Sequence, residues 1–239
     1  MSQVISRRSL LTNGLMAGVG LVVLQESSFG AINVLAYSNQ LKPQNERFLA
    51  AYKRLDEFIA RHMQEHGAPG MTLALASRDG LLRISHYGFA DLKSAQRVGP
   101  QTLFEIGSIS KSFVGVALLQ AAEEGKVDLQ KPITSYLPWL KIESAFAPIT
   151  AHHLLTHSAG LSGVPLLMRV AAKPLRTGWA PGTRFLYSNI GYVILGFLLE
   201  AVDKRPFAES LRKRVLEPLG MSATDPIITN ATRERLAVG

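Results

Sequence analysis

The chain contains no cysteine, which excludes disulfide staples, thiolate catalysis and cysteine-held metals while leaving the redox compartment open. Long apolar runs are missing too. The best candidate, the small and apolar stretch Gly14 to Leu24, falls short of the roughly 18 residues that a spanning helix needs. Basic residues outnumber acidic ones, 26 Lys and Arg against 18 Asp and Glu for a net charge of +8. They are scattered, however, and no basic motif interleaved with aromatics appears, so nucleic acid is not an expected partner. Metal ligands are equally short. His153 and His157 have the i, i+4 spacing of helical ligands, yet no Glu follows His153 and no third ligand stands at recognisable spacing. Neither a metal site nor a cofactor is expected.

What is present suffices for a folded enzyme-sized body: 239 residues, 47% of them hydrophobic, can bury one good core or two lobes sharing one. The first 36 residues stand apart. Arg7 and Arg8 precede the short Gly-containing apolar segment, the pattern of a twin-arginine export signal over residues 1–36, with small residues allowing cleavage near Gly30-Ala31 or after Ala36. Export in a folded state, to a bacterial periplasm or the medium, is the expectation, with the twin-arginine machinery as partner. An uncleaved signal would leave the protein anchored to the membrane.

Residues 37–239 read as a single region. From Gln44 to His66, Phe48, Tyr52, Leu55, Ile59 and Met63 recur at three and four, an amphipathic helix that Gly67-Ala68-Pro69-Gly70 stops. Met71 to Ser77 and Leu81 to Ala90 alternate as two strands joined through Arg78-Asp79-Gly80, which places a helix and hairpin over residues 44–91. Residues 108–124 follow as a helix with an apolar body. Residues 126–218 read as a helical lobe in which no further strand is convincing; Ile190 to Glu200 is apolar nearly all round and predicts a buried helix. Arg205, just before it, and Arg212, Lys213 and Arg214 within it go with an amphipathic segment from Pro206 to Leu216 and predict a solvated face.

Two short stretches carry chemistry. In Phe104-Glu105-Ile106-Gly107-Ser108-Ile109-Ser110-Lys111 a hydroxyl and an amine are three residues apart, so a helical turn puts them on one face. A serine needs a base to become a nucleophile, and a partly desolvated lysine can serve as one. Ser108 would also stand at a helix N-terminus, which favours developing negative charge. In Tyr187-Ser188-Asn189 a phenol and an amide sit on a loop before a buried helix, and a phenol beside a lysine ammonium can lose its proton and act as a base.

These stretches come in a fixed company. Phe104 to Lys111, then Leu154-Leu155-Thr156-His157-Ser158-Ala159-Gly160-Leu161, then Pro181 to Tyr192, then Pro218-Leu219-Gly220-Met221 closely resemble, in order and spacing, the serine beta-lactamase-related family of class C type. That family includes class C beta-lactamases, D-alanyl-D-alanine carboxypeptidases, D-aminopeptidases and esterases. The resemblance implies an α+β, beta-lactamase/transpeptidase-like fold: an antiparallel sheet flanked by helices, plus an all-helical lobe. It implies a serine hydrolase in which Ser108 forms an acyl-enzyme, with its own backbone N–H as half of an oxyanion hole. Lys111 would take or relay the serine proton, Tyr187 would be its partner in acid-base work, and Asn189 would hydrogen-bond Lys111 and the substrate's amide. Tyrosine in place of the first serine of S-D-N favours the class C and esterase branch.

Two departures accompany the likeness. His-Ser-Ala-Gly stands where the family more often has His-Thr-Ser-Gly, and His157 is treated as structural. The family's third motif, K-T-G or H-x-G on a sheet strand, is absent from the chain, which ends at Arg235-Leu236-Ala237-Val238-Gly239. The expectation is therefore a C-terminally truncated copy with an incomplete sheet. A beta-lactam, a D-amino-acid peptide of peptidoglycan type and a small ester all fit the same residues. A non-catalytic penicillin-binding-like sensor and an inactive fragment are the alternatives.

Overall fold

A computed structural model describes residues 48–161 and 174–238; the export signal expected over residues 1–36 lies outside them. The described residues divide into two compact units, 48–105 with 229–238, and 106–161 with 174–228.

The first unit is a helix on a small sheet. Helix α1, Leu49–His66, buries Tyr52, Ile59 and Met63 and ends on Gly67 in the left-handed region, as the breaker run predicts. Strands β1, Gly70–Ser77, and β2, Gly80–Asp91, pair antiparallel from Gly70 opposite Gly88 to Ser77 opposite Gly80, with a bulge between Leu75 and Ala76. Gly88 is needed at its position: its φ is +67°, and a Cβ there would run into the Pro69 carbonyl. An internal ion pair fastens α1 to the sheet. Arg83, 1% exposed, donates to both carboxylate oxygens of Asp56 at 2.6 and 2.8 Å, and the Tyr87 hydroxyl donates to Asp56 at 2.6 Å.

The sheet grows in ways that local pattern does not announce. A two-residue strand β3, Gln96–Arg97, pairs antiparallel with β2, and residues near the C-terminus bridge in parallel, Val238 to Asp91 and Leu236 to Leu103. Strands were not expected beyond the hairpin. Two-residue strands are too short for an alternating pattern, and the parallel bridges join residues far apart in sequence, so each depends on tertiary approach rather than on periodicity.

The second unit is helical. A 3₁₀ turn, Gly107–Ile109, leads into α2, Ser110–Glu123; α3 is Ala151–Leu155, α4 Asn189–Asp203 and α5 Phe207–Leu211. Two minimal strands, β4 (Ile142–Glu143) and β5 (Leu175–Arg176), pair in parallel. Helix α4 is the centre, as its all-round apolar sequence predicts. Ile194, Leu195, Leu198 and Leu199 are wholly buried, and each side chain of this size contributes roughly 1.5–3 kcal/mol. Gly196 admits the Phe207 ring, 3.5 Å from where a Cβ would sit. Helix α2 is more one-sided than its apolar run suggests: Val114, Ala117, Leu118 and Ala121 are buried, whereas Val116 and Leu119 are exposed.

The basic segment 205–214 is corrected more sharply. After α5 the chain passes into a π-helical turn, Arg212–Leu216, and Arg214 is buried there instead of lying on a solvated face. Its guanidinium grips Asp203 (2.7 and 2.5 Å) and Glu124 (2.8 and 2.9 Å). One carboxylate lies at the end of α4 and the other just past α2, so the pattern of its own helix carries no trace of what turns Arg214 inward. The three groups hold one another charged. Arg214 and then Lys126 pull the Glu124 carboxyl down to about 2, Arg214 also lowers Asp203, and the two carboxylates raise Arg214.

Candidate active site

Ser108 sits in the 3₁₀ turn ahead of α2, entered through Gly107 at φ +51°. The Ile109 N–H donates to the Ile106 carbonyl at 3.1 Å, which closes the turn and leaves the Ser108 side chain exposed. The three-residue offset closes as the sequence predicts: Lys111 Nζ donates to Ser108 Oγ at 2.9 Å. Lys111 itself is half-buried.

Tyr187, 79 residues along the chain, reaches the same oxygen, its hydroxyl donating to Ser108 Oγ at 2.5 Å. The Lys111 ammonium lies 4.8 Å from the centroid of the Tyr187 ring and 5.6 Å from that of Tyr192. Lys111, and after it the Ser108 hydroxyl, hold the Tyr187 phenol below its ordinary value of 10.0. A cation beside a phenol stabilises the phenolate, and a hydrogen-bond donor does the same. An ammonium and an acidified phenol thus converge on the serine hydroxyl oxygen, a set suited to moving a proton off a nucleophile and back to a leaving group.

Asn189 differs from expectation in one respect. It opens α4 and is exposed, and among the described residues its side chain makes no hydrogen bond to Lys111. The ammonium is instead turned to Ser108 and to the two tyrosine rings.

The loop that carries Tyr187 is held by a residue treated as structural in the sequence. His157 has φ +56°. Its carbonyl accepts the Leu186 N–H at 2.8 Å, and its Nδ1 accepts the Ser188 N–H at 3.0 Å. The two bonds bracket Tyr187, whose ring lies 4.5 Å from the imidazole. Ser188 then caps α4 by accepting from Gly191 N at 3.3 Å. Gly160 of the same motif has φ +69°, and a Cβ there would come within 2.7 Å of the Trp179 carbonyl. The Leu154 to Leu161 motif therefore cradles the two loops that lead to Tyr187. Its only advance signal was recurrence beside the Tyr187 stretch in the resembled family, because residues 31 apart leave no local periodicity.

The His153 and His157 side chains both accept backbone N–H groups. His153 Nδ1 accepts the Thr150 N–H at 3.2 Å in a capping box at the start of α3. Among the described residues, the ligand atoms of His62, Glu65 and His66 on α1 lie within 4.8 Å of one another. They are exposed, belong to the unit without Ser108, and have nothing but proximity to suggest a cation.

Known proteins align with this arrangement. The family model described as Beta-lactamase matches residues 55–239. A beta-lactamase of Providencia stuartii is 33% identical over 184 residues, covering 74% of this chain and 47% of that protein. Protein flp of Staphylococcus aureus is 26% identical over 202 residues, covering 78% and 41%. Among solved structures, a class C beta-lactamase superposes with a TM-score of 0.71 at 28% identity, over 82% of this chain and 56% of that one. The octameric penicillin-binding protein homologue from Pyrococcus abyssi does so with a TM-score of 0.69 at 27% identity, over 79% and 47%. The chain spans about half the length of the curated relatives it matches.

Proposed function

The chain belongs to the beta-lactamase family, and from that premise we propose that it is a serine hydrolase acting through an acyl-enzyme on Ser108. The observation that carries this reading is the convergence of Lys111 Nζ and Tyr187 OH on Ser108 Oγ. With Tyr187 as phenolate, the contact reverses direction and Oγ–H donates to it. Oγ then attacks the substrate carbonyl carbon as its proton passes to Tyr187. The tetrahedral oxyanion is met by the Ser108 backbone N–H at the head of α2. Collapse breaks the bond to the amine or alcohol, which leaves with the proton from Tyr187, and water admitted by the same base hydrolyses the ester. Lys111, beside the Ser108 oxygen and the Tyr187 ring, favours the phenolate form of Tyr187. Asn189 faces the substrate's amide.

The substrate class is an acyl compound of the kinds this site chemistry accepts: a beta-lactam, a D-amino-acid peptide or a small ester. Arg7-Arg8 and the segment after them support export to the periplasm or the medium, where peptidoglycan-like substrates are met. A fluorescent penicillin and a fluorophosphonate probe test the core of the proposal. At least one should label the wild-type chain and neither should label Ser108→Ala, with nitrocefin or p-nitrophenyl ester turnover lost in parallel. Labelling that survives the substitution removes Ser108 from the mechanism.

A further inference from the structure

We propose that His157 is a positioning residue for Tyr187, effective only while its imidazole is neutral, so that protonation of His157 adds an acid-side loss to the one that protonation of Tyr187 itself imposes. The inference rests on the role given to Tyr187 above and concerns how that role is regulated.

The geometry is specific about the proton. Nδ1 of His157 accepts from the Ser188 N–H at 3.0 Å, which places the ring proton on Nε2. A proton added at Nδ1 would set a donor against a backbone donor, and that contact cannot survive in place. The carbonyl bond from Leu186 N would remain at 2.8 Å, leaving the segment pinned on one side of Tyr187 and free on the other. Tyr187 OH meets Ser108 Oγ at 2.5 Å, a contact with no slack.

The surroundings also oppose a second charge. From α2, the Lys111 ammonium acts on the ring; from α4 comes the Tyr192 ring at 5.1 Å, and from the 185–188 segment the Tyr187 and Phe185 rings at 4.5 and 5.7 Å. On its own side, His153 is engaged in the α3 cap. Among the described residues, no carboxylate is among the groups that act on His157. Burial first and Lys111 second push its titration below 6.5, in keeping with a ring kept neutral for use.

Asparagine is the informative substitute. Its side-chain oxygen can occupy the place of Nδ1, it tolerates the left-handed backbone found here, and it does not titrate. The pH profile of acylation, followed with whichever probe labels Ser108, should fall on the acid side as Tyr187 is protonated and fall more steeply below about pH 6.5 in the wild type, where His157 is protonated as well. His157→Leu should lower the acylation rate by on the order of tenfold to a hundredfold at every pH. His157→Asn should restore the rate above pH 7 and remove only the steeper part of the acid-side fall, leaving the single-proton dependence that Tyr187 imposes. An acid limb unchanged in His157→Asn, or full activity in His157→Leu, overturns the proposal. If wild-type Ser108 is not labelled at any pH, the hydrolase reading itself fails, and the two failures are thereby distinguished. Thermal melts of each variant at pH 8 separate loss of rate from loss of fold.

Discussion

Ser108 Oγ is approached by two donors of unlike kind, and the difference between them decides what each substitution should do. Lys111 acts on Tyr187 directly, first by side-chain hydrogen bonding and more weakly through its charge, while Ser108 acts on it separately. In Lys111→Met the phenol of Tyr187 should titrate higher, back toward 10.0, and ultraviolet difference titration of tyrosinate against a Tyr187→Phe control measures the change. Direction is the test, since a downward or null shift would mean that Lys111 does not acidify the phenol. Tyr187→Phe keeps the ring and its packing but removes the proton carrier. It should cut acylation by about 10²–10⁴-fold, with a melting temperature close to that of the parent. The pairing of Ser108 with Lys111 was legible from the sequence because a three-residue offset is a local matter. The approach of Tyr187 was legible only through the resemblance of its stretch to a family pattern and not from any local offset, since 79 residues of intervening fold bring it there.

At the level of elements, two junctions hold their units by groups that cannot be satisfied elsewhere. Arg214 joins the end of α4 to the chain after α2 through Asp203 and Glu124. The Asp203 side chain is fully buried and would keep only its longer ion pairs, to Lys126 at 3.8 Å and Arg205 at 3.9 Å, so Arg214→Met should leave it poorly paired and cost about 3 kcal/mol, read as a lower denaturant midpoint. The double change Arg214→Met with Asp203→Leu should recover part of that loss, because the penalty is the poorly compensated charge rather than the missing contact. In the other unit, Gly88 takes a left-handed conformation beside the Pro69 carbonyl. Gly88→Ala adds both backbone strain and a collision, and should weaken the β1–β2 pairing enough to expose its amides to fast hydrogen exchange. Helix α1, the hairpin and α4 were readable from periodicity and from breakers such as Gly67. Strands β3, β4 and β5 were not, each being two residues long.

For the molecule as a whole, acid stability integrates these local arrangements. His86, His153 and His157 are all held below 6.5, burial being the first cause of each. The unfolded chain then binds more protons than the folded one near that pH, so stability is full above about 6.5 and declines as pH falls through the range below it. Glu124, lowered to about 2, and Asp203, also lowered, act further down. Their contribution is present above the unfolded carboxylate range near pH 4 and is lost as pH falls toward 2. Melting temperature against pH should therefore fall in two stages between pH 7 and pH 2, and Arg214→Met should flatten the lower one. A profile with no change between pH 7 and pH 5 would contradict the neutral histidines.

By itself the sequence determined which side chains exist to do chemistry and in what order they occur: Ser108 and Lys111 a turn apart, Tyr187 and Asn189 on a polar entry to an apolar helix, and the absence of cysteine. It determined these because nucleophile spacing, helix periodicity and breakers are local properties. Tertiary structure decided the direct contact of Tyr187 with Ser108 Oγ, which the motif resemblance only implied, and it alone decided that His157 brackets Tyr187 and that Arg214 turns inward to two carboxylates. It also decided that residues 236 and 238 bridge to the sheet unit. Each of those contacts joins segments distant in the chain, and their energies come from burial and hydrogen bonding that exist only once the segments have been brought together.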